Sequence, residues 1–152
     1  MKNNLPAERR GFTLIELLVV IGILAVLLAI TLIAINPAKQ FAQANNTKRS
    51  SDVNAILNGV GQYAADNKGV IPAGITTSAQ NIANTGADVC AELITTYLAA
   101  LPVDPLTNNG TPVTNCAAAY DTNYTIVRSS TDNRITVTAP AAELGATIAV
   151  TR

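Results

Sequence analysis

Apolar residues fill the chain almost without interruption from Leu17 to Ile35, then give way at Asn36-Pro37 to a polar stretch and a spaced apolar stripe. An uninterrupted run of this kind predicts a helix of membrane-spanning type. At about 1.5 Å per residue it extends roughly 29 Å, against a hydrocarbon core of about 30 Å. Pro37 lacks a backbone donor and disfavours helix for the residue before it, so a kink or local melting is expected there. Helical periodicity then resumes: Val53, Ile56, Leu57, Val60, Tyr63 and Ala64 recur at spacings of three and four, one face of an amphipathic helix. Asn67, Lys68 and Gly69 supply a stop signal, with Pro72 beyond. The pattern predicts one long helix from Phe12 to about Asn67. Its polar stretch, Gln43 to Asp52, is expected to face solvent or neighbouring subunits, and the adjacent Lys48-Arg49 to belong to a solvated face or a salt bridge between subunits.

After a loop from Gly69 to Thr77, the residues Val89, Leu93, Ile94, Tyr97, Leu98 and Leu101 predict a shorter second helix, stopped by Pro102 and Pro105. Thr107 to Thr114 is turn-rich, punctuated by Asn108-Asn109-Gly110. Alternation in Tyr124–Arg128 and Arg134–Thr138 predicts an antiparallel hairpin, to which Thr147–Val150 adds a third strand. The fold class is α+β, a long helix with an apolar half laid on a small antiparallel sheet of about three strands.

Charge orients this arrangement. Lys2, Arg9 and Arg10 precede the apolar run, and after Glu16 no charge occurs until Lys39. The amino end is therefore expected to stay cytoplasmic while the body crosses the membrane. Beyond Ile35 there is enough chain for one small domain. The whole chain is formally neutral, and without Lys2, Glu8, Arg9 and Arg10 it carries a net charge of −2. Its basic residues are scattered, so no nucleic-acid surface is expected. The chain has no histidine, which excludes a Ser-His-Asp triad, a Cys-His pair and His-ligated zinc; neither catalysis nor a cofactor is expected. Two cysteines permit one bridge, Cys90 to Cys116, or two buried thiols. Export to an oxidising compartment favours the bridge.

Glu16 is the informative residue, a carboxylate at the threshold of the apolar run, where ionisable groups usually have a function and a definite partner. The octet Arg9-Arg10-Gly11-Phe12-Thr13-Leu14-Ile15-Glu16 resembles the processing site of type IV prepilins and of the related pseudopilins of type II secretion. That resemblance implies a pilin fold and cleavage between Gly11 and Phe12 by a membrane peptidase that also methylates the new Phe12 amine. Residues 1–11 would be the leader, 12–35 the membrane and filament-core half of the helix, 36–68 its amphipathic half and 69–152 the globular head. It also implies that Glu16 pairs with the Phe12 amine of a neighbouring subunit, cationic at neutral pH, and sets its register. The implied partners are copies of the chain itself, the peptidase and methylase, an inner-membrane platform protein and an assembly ATPase. The implied locations are the inner membrane before assembly and an extracellular pilus after it.

Within the superfamily the signals divide. Gly69-Val70-Ile71-Pro72 and Leu101-Pro102-Val103-Asp104-Pro105 resemble segments of secretion pseudopilins, although Leu106 and Thr107 stand where an aromatic residue and a glycine are frequent. The cysteine pair resembles the disulfide of many major pilins, except that Cys116 precedes the predicted strands. Pseudopilins often bind calcium, for which Asp121, Asn123, Asp132 and Asn133 are candidates if they converge, against ordinary Asx turns. Gly22 either permits close helix approach or is merely tolerated. The function expected is the major subunit of a type IV pilus serving adhesion, motility or DNA uptake. The alternatives are a secretion pseudopilin and a single-pass anchored binding domain. An ordinary export signal fits less well, because its apolar core is shorter and ends at a small-residue site.

Overall fold

The computed structural model describes residues 11–152, so the leader positions Lys2, Arg9 and Arg10 lie outside the described residues. The chain forms two compact units, Met1–Gln40 and Phe41–Arg152. In the first, helix α1 spans Leu14–Ile35 and buries none of its residues. It ends at Asn36, whose backbone is left-handed (φ 47°, ψ 78°), a conformation asparagine tolerates better than most L-residues. The Asn36 carbonyl accepts from Lys39 N at 3.1 Å and its side-chain oxygen accepts from the same N–H at 3.3 Å. One residue thus closes α1 and caps α2, which runs Pro37–Asp66. Proline opens α2 at the position where its missing N–H costs nothing. The single helix expected from Phe12 to Asn67 is corrected to two, divided at Asn36. At the far end, Lys68 adopts φ 56° and Gly69 N donates to Ala64 O at 2.7 Å, a Schellman closure.

In the second unit, Val53, Ile56, Leu57 and Val60 of α2 are buried against an antiparallel sheet. Its strands, β1 (Gln80–Ala83), β2 (Asp121–Arg128), β3 (Ile135–Thr138) and β4 (Ala149–Thr151), lie in sequence order. Tyr124 and Ile126 on β2 and Ile135 and Val137 on β3 point to the core, as the period of two requires. The sheet has four strands where three were expected. The unpredicted β1 begins with polar Gln80-Asn81 and is an edge strand only four residues long, too little to carry a periodic signal.

The second helix is also corrected. Only Cys90–Leu93 is helical, designated α3, because Thr95 turns to φ 73° and the β-branched Thr95-Thr96 pair resists helix continuation. The apolar spacing nevertheless marks the core, since Val89, Leu93 and Leu101 are fully buried. Leu98 covers Gly59 of α2, where a Cβ would stand 3.1 Å from Leu98 Cγ. A disulfide joins Cys90 to Cys116 with Cα atoms 5.5 Å apart, fastening α3 to the segment before β2.

One face of the polar stretch of α2 turns inward, while Gln43, Thr47, Lys48, Ser50 and Ser51 stay exposed as expected. Arg49 is fully buried, its Nε donating to Asp104 Oδ2 at 2.6 Å and its Nη2 to Asp104 Oδ1 at 3.2 Å, and Asp104 is fully buried as well. Arg49 Nη1 donates to Glu143 Oε2 at 2.8 Å and to Asn46 Oδ1 at 3.1 Å. Asn45 and Asn46 donate to the side chain and carbonyl of Glu143. One turn on, Asp52 Oδ2 accepts from Lys48 Nζ at 2.9 Å and from the Tyr124 hydroxyl at 2.8 Å. Burial, and then Asp52, push the Tyr124 phenol far above its ordinary pKa. The expectation that Lys48-Arg49 belongs to a solvated face is therefore overturned for Arg49. Positions 45, 49, 52 and 56 share one helical face, and its polar part packs on two loops.

Removing one partner of a buried ion pair leaves the other charged and uncompensated, at a cost of about 3–5 kcal/mol. Asp104→Ala should therefore cut the unfolding free energy of the full chain in detergent by that order, read from denaturant melts. A loss below 1 kcal/mol would contradict the role assigned to the pair. The hydrogen bonds from Arg49 and then Asn45 hold the Glu143 carboxyl below its ordinary value of 4.5. A lowered native pKa adds stability that is complete above that ordinary value and is lost as pH falls towards the native one. Glu143→Gln should flatten that part of the acid limb of a stability–pH curve; an unchanged limb would refute it.

Candidate functional site

At the start of α1, Phe12 is 85% exposed and Gly11 has no neighbour within 4 Å of a built Cβ, so the Gly11–Phe12 bond is accessible. Thr13 is the N-cap. Its Oγ1 accepts from Glu16 N at 3.3 Å, while the Glu16 carboxylate accepts from Thr13 N at 2.8 Å and from Thr13 Oγ1 at 2.8 Å. This is a complete capping box. It also places a carboxylate in the first turn, where the helix dipole favours negative charge. Within a single chain, Glu16 is thus held by Thr13, the residue next to the Phe12 whose amine cleavage would free. Thr13 was not among the residues expected to matter, although Thr-x-x-Glu ahead of an apolar run is the signature of this cap.

The remainder of α1 carries no charge. It is 22 residues long and contains an 18-residue stretch of mean hydropathy 3.2, long and apolar enough to cross a membrane. Gly22 leaves a notch among Leu18, Val19, Ile23 and Val26. Pro37 follows the left-handed Asn36, so the interruption is one residue earlier than the proline itself.

The calcium candidates do not converge. Asp121 opens β2 and Asp132 lies in the turn after it, separated by a strand of about 23 Å at 3.3 Å per residue. Both form turns: Asp121 Oδ1 accepts from Asn123 N at 2.8 Å, and Asp132 Oδ1 accepts from Arg134 N at 3.2 Å. Ser129, followed by the Arg134 amide, lowers the Asp132 pKa. Among the described residues no group of three or more His, Cys, Asp or Glu side chains has metal-binding geometry.

A helix long and apolar enough to cross a membrane, opened by a capped carboxylate, precedes an α+β domain. Residues 7–32 match the family model described as the prokaryotic N-terminal methylation motif. The chain therefore carries the N-terminal methylation motif, the leader type of type IV pilins and pseudopilins, ahead of an apolar helix. No curated protein and no solved structure matches it.

Thr13→Ala should accelerate amide hydrogen exchange at Glu16 about fivefold in detergent micelles, because the cap that protects this N–H is lost. Unchanged exchange would show that the box does not hold the first turn.

Proposed function

We propose that the chain is the major structural subunit of a type IV pilus. The observation that carries the reading is the octet Arg9–Glu16 joined to a membrane-length helix that buries nothing. Residues 1–11 are a leader. A membrane peptidase hydrolyses the Gly11–Phe12 peptide bond, and the freed Phe12 amine is methylated by the same machinery. Before assembly α1 lies in the inner membrane with the domain that follows outside the cytoplasm. An ATP-driven platform then lifts subunits into a homopolymer that leaves the cell.

Glu16 and Phe12 set the register of that polymer. In lipid, Thr13 satisfies the carboxylate within its own chain. At the base of a growing filament the Phe12 ammonium of a neighbour is a stronger partner, because an ionised donor makes the shorter and stronger hydrogen bond. Transfer of α1 from lipid to a filament core gains little hydrophobic energy, since lipid tails are as apolar as leucine, so packing and this polar pairing decide association. The chain itself catalyses nothing in this scheme. Its Thr-, Asn- and Ala-rich domain forms the filament surface for adhesion, motility or DNA uptake.

A secretion pseudopilin is the second reading, favoured by Gly69-Val70-Ile71-Pro72 and by Leu101-Pro102-Val103-Asp104-Pro105. In that case the polymer is short and periplasmic and bears on exported proteins. An anchored, monomeric binding domain is the third, and it would retain its leader.

Glu16→Ala should leave cleavage largely intact while reducing fibres or N-methylation at least tenfold, measured by blotting sheared filaments against total membranes. Normal fibre yield would remove Glu16 from its role. Gly11→Leu should leave the precursor uncleaved; a mature Phe12 terminus in that variant would refute the cleavage site.

A further inference from the structure

Given the reading above that α1 lies in a membrane before assembly, we infer that the loop Ala139–Ala146, together with Phe41, seats the domain on that membrane's lipid surface. Leu144 and Phe41 lodge at the boundary between headgroups and acyl chains. Composition is the first sign. Ala139-Pro140-Ala141-Ala142-Glu143-Leu144-Gly145-Ala146 holds one polar side chain in eight residues, where a surface loop ordinarily gathers Ser, Asn, Asp and Gly. That one side chain turns inward, since the Glu143 carboxylate accepts from Arg49 Nη1 and Asn45 Nδ2. Leu144 is left 56% exposed, with Gly145 and Ala146 exposed beside it.

The backbone singles out Leu144. Ala146 N donates to Glu143 O at 3.1 Å, closing a turn whose central residues, Leu144 and Gly145, have φ 58° and 68°. Two positive φ values mark the turn family in which Asn-Gly and Asp-Gly are strongly preferred. Leucine gains nothing locally from this conformation, because its Cβ crowds the backbone and it has no side-chain oxygen to bond nearby. A residue held so against its preference points to a use for the side chain that the turn presents.

Hydrogen bonds tie this turn to the start of the domain. Glu143 N donates to Asn46 Oδ1 at 2.9 Å, and its carbonyl accepts from Asn46 Nδ2 at 2.8 Å. Phe41 stands one helical turn before Asn45 on the same face and is 70% exposed. The polar groups near the two apolar side chains are thus bonded to one another, which lowers the cost of taking this corner out of water.

The tether identifies the occupant. Phe41 follows Ile35, the last residue of α1, by six positions, a reach of at most about 21 Å. With α1 in lipid, Phe41 is therefore kept near the headgroup layer. Two large side chains and a few alanines fall short of the roughly 800 Å² per partner that a stable protein interface buries, whereas a domain already tethered to lipid needs little area to settle on it. Interfacial anchors place their apolar side chains in this way, about 5–10 Å into the headgroup–acyl boundary.

The chain has no tryptophan, so Val26→Trp, Phe41→Trp, Leu144→Trp and Val70→Trp each give the full-length protein a single reporter at an exposed site. Val70 lies beyond the far end of α2, whose residues from Phe41 to Asp66 rise about 38 Å. Each variant is reconstituted in phosphatidylcholine–phosphatidylglycerol vesicles containing brominated lipid. Phe41→Trp and Leu144→Trp emission is expected to fall at least about twofold with bromines high on the acyl chain, at every protein-to-lipid ratio. Val26→Trp should respond to bromines deep in the chain, and Val70→Trp to neither. Unquenched Leu144→Trp beside quenched Val26→Trp overturns the inference and leaves the membrane reading standing, whereas unquenched Val26→Trp removes both. A blue shift of Leu144→Trp that appears only at high protein density makes a second copy the occupant, and equal quenching of Val70→Trp makes the contact non-specific; either result overturns the inference.

Discussion

The cover that α1 must find governs the rest of the structure. Twenty-two residues, with an 18-residue stretch of mean hydropathy 3.2, form a helix with no buried side chain, a surface that water does not tolerate as a free patch. Lipid would supply the cover in a membrane, and other copies of the same helix would supply it in the polymer proposed above. The two environments are nearly equal in hydrophobic terms, so the single charged residue of the helix acquires weight out of proportion to its size. Glu16 is that feature, and the capping box with Thr13 lets it reside at the threshold without an unsatisfied carboxylate.

Asn36 separates two kinds of helix. Upstream, sequence is dictated by an apolar environment; downstream, α2 contributes one face to a packed domain. That domain holds together through a core shared by α2, α3 and the sheet and through the buried Arg49–Asp104 pair, which joins residues 55 apart. Arg49 also reaches Glu143 after β3, so one guanidinium draws two loops onto α2. A buried pair of this kind confers definite positions on the groups it joins more surely than it adds net stability. The placement of those loops follows from Arg49.

Elements with strong periodicity were legible in the residues. The apolar run, the stripe from Val53 to Ala64 and the hairpin around Ser129 to Asn133 all correspond to structure. The α3 region was legible only as burial: Val89, Leu93 and Leu101 are core residues, but the backbone turns at Thr95. Strand β1 escaped because it is short and begins polar. Arg49 escaped for a different reason, since composition places arginine outside unless its partner is known, and Asp104 is distant in sequence. Asp121 and Asp132 appeared able to converge only while the length of β2 between them was undefined. Around Glu16 the chemistry was legible from local order alone, and Thr13 was readable by the same rule.

The mass of the amino-terminal peptide, taken from protein sheared off cell surfaces and compared with that in membranes, tests the account most directly. A terminus at N-methylated Phe12 on abundant surface fibres is the predicted result. An intact leader ahead of Phe12, with no fibres, would contradict it and leave α1 as an anchor alone.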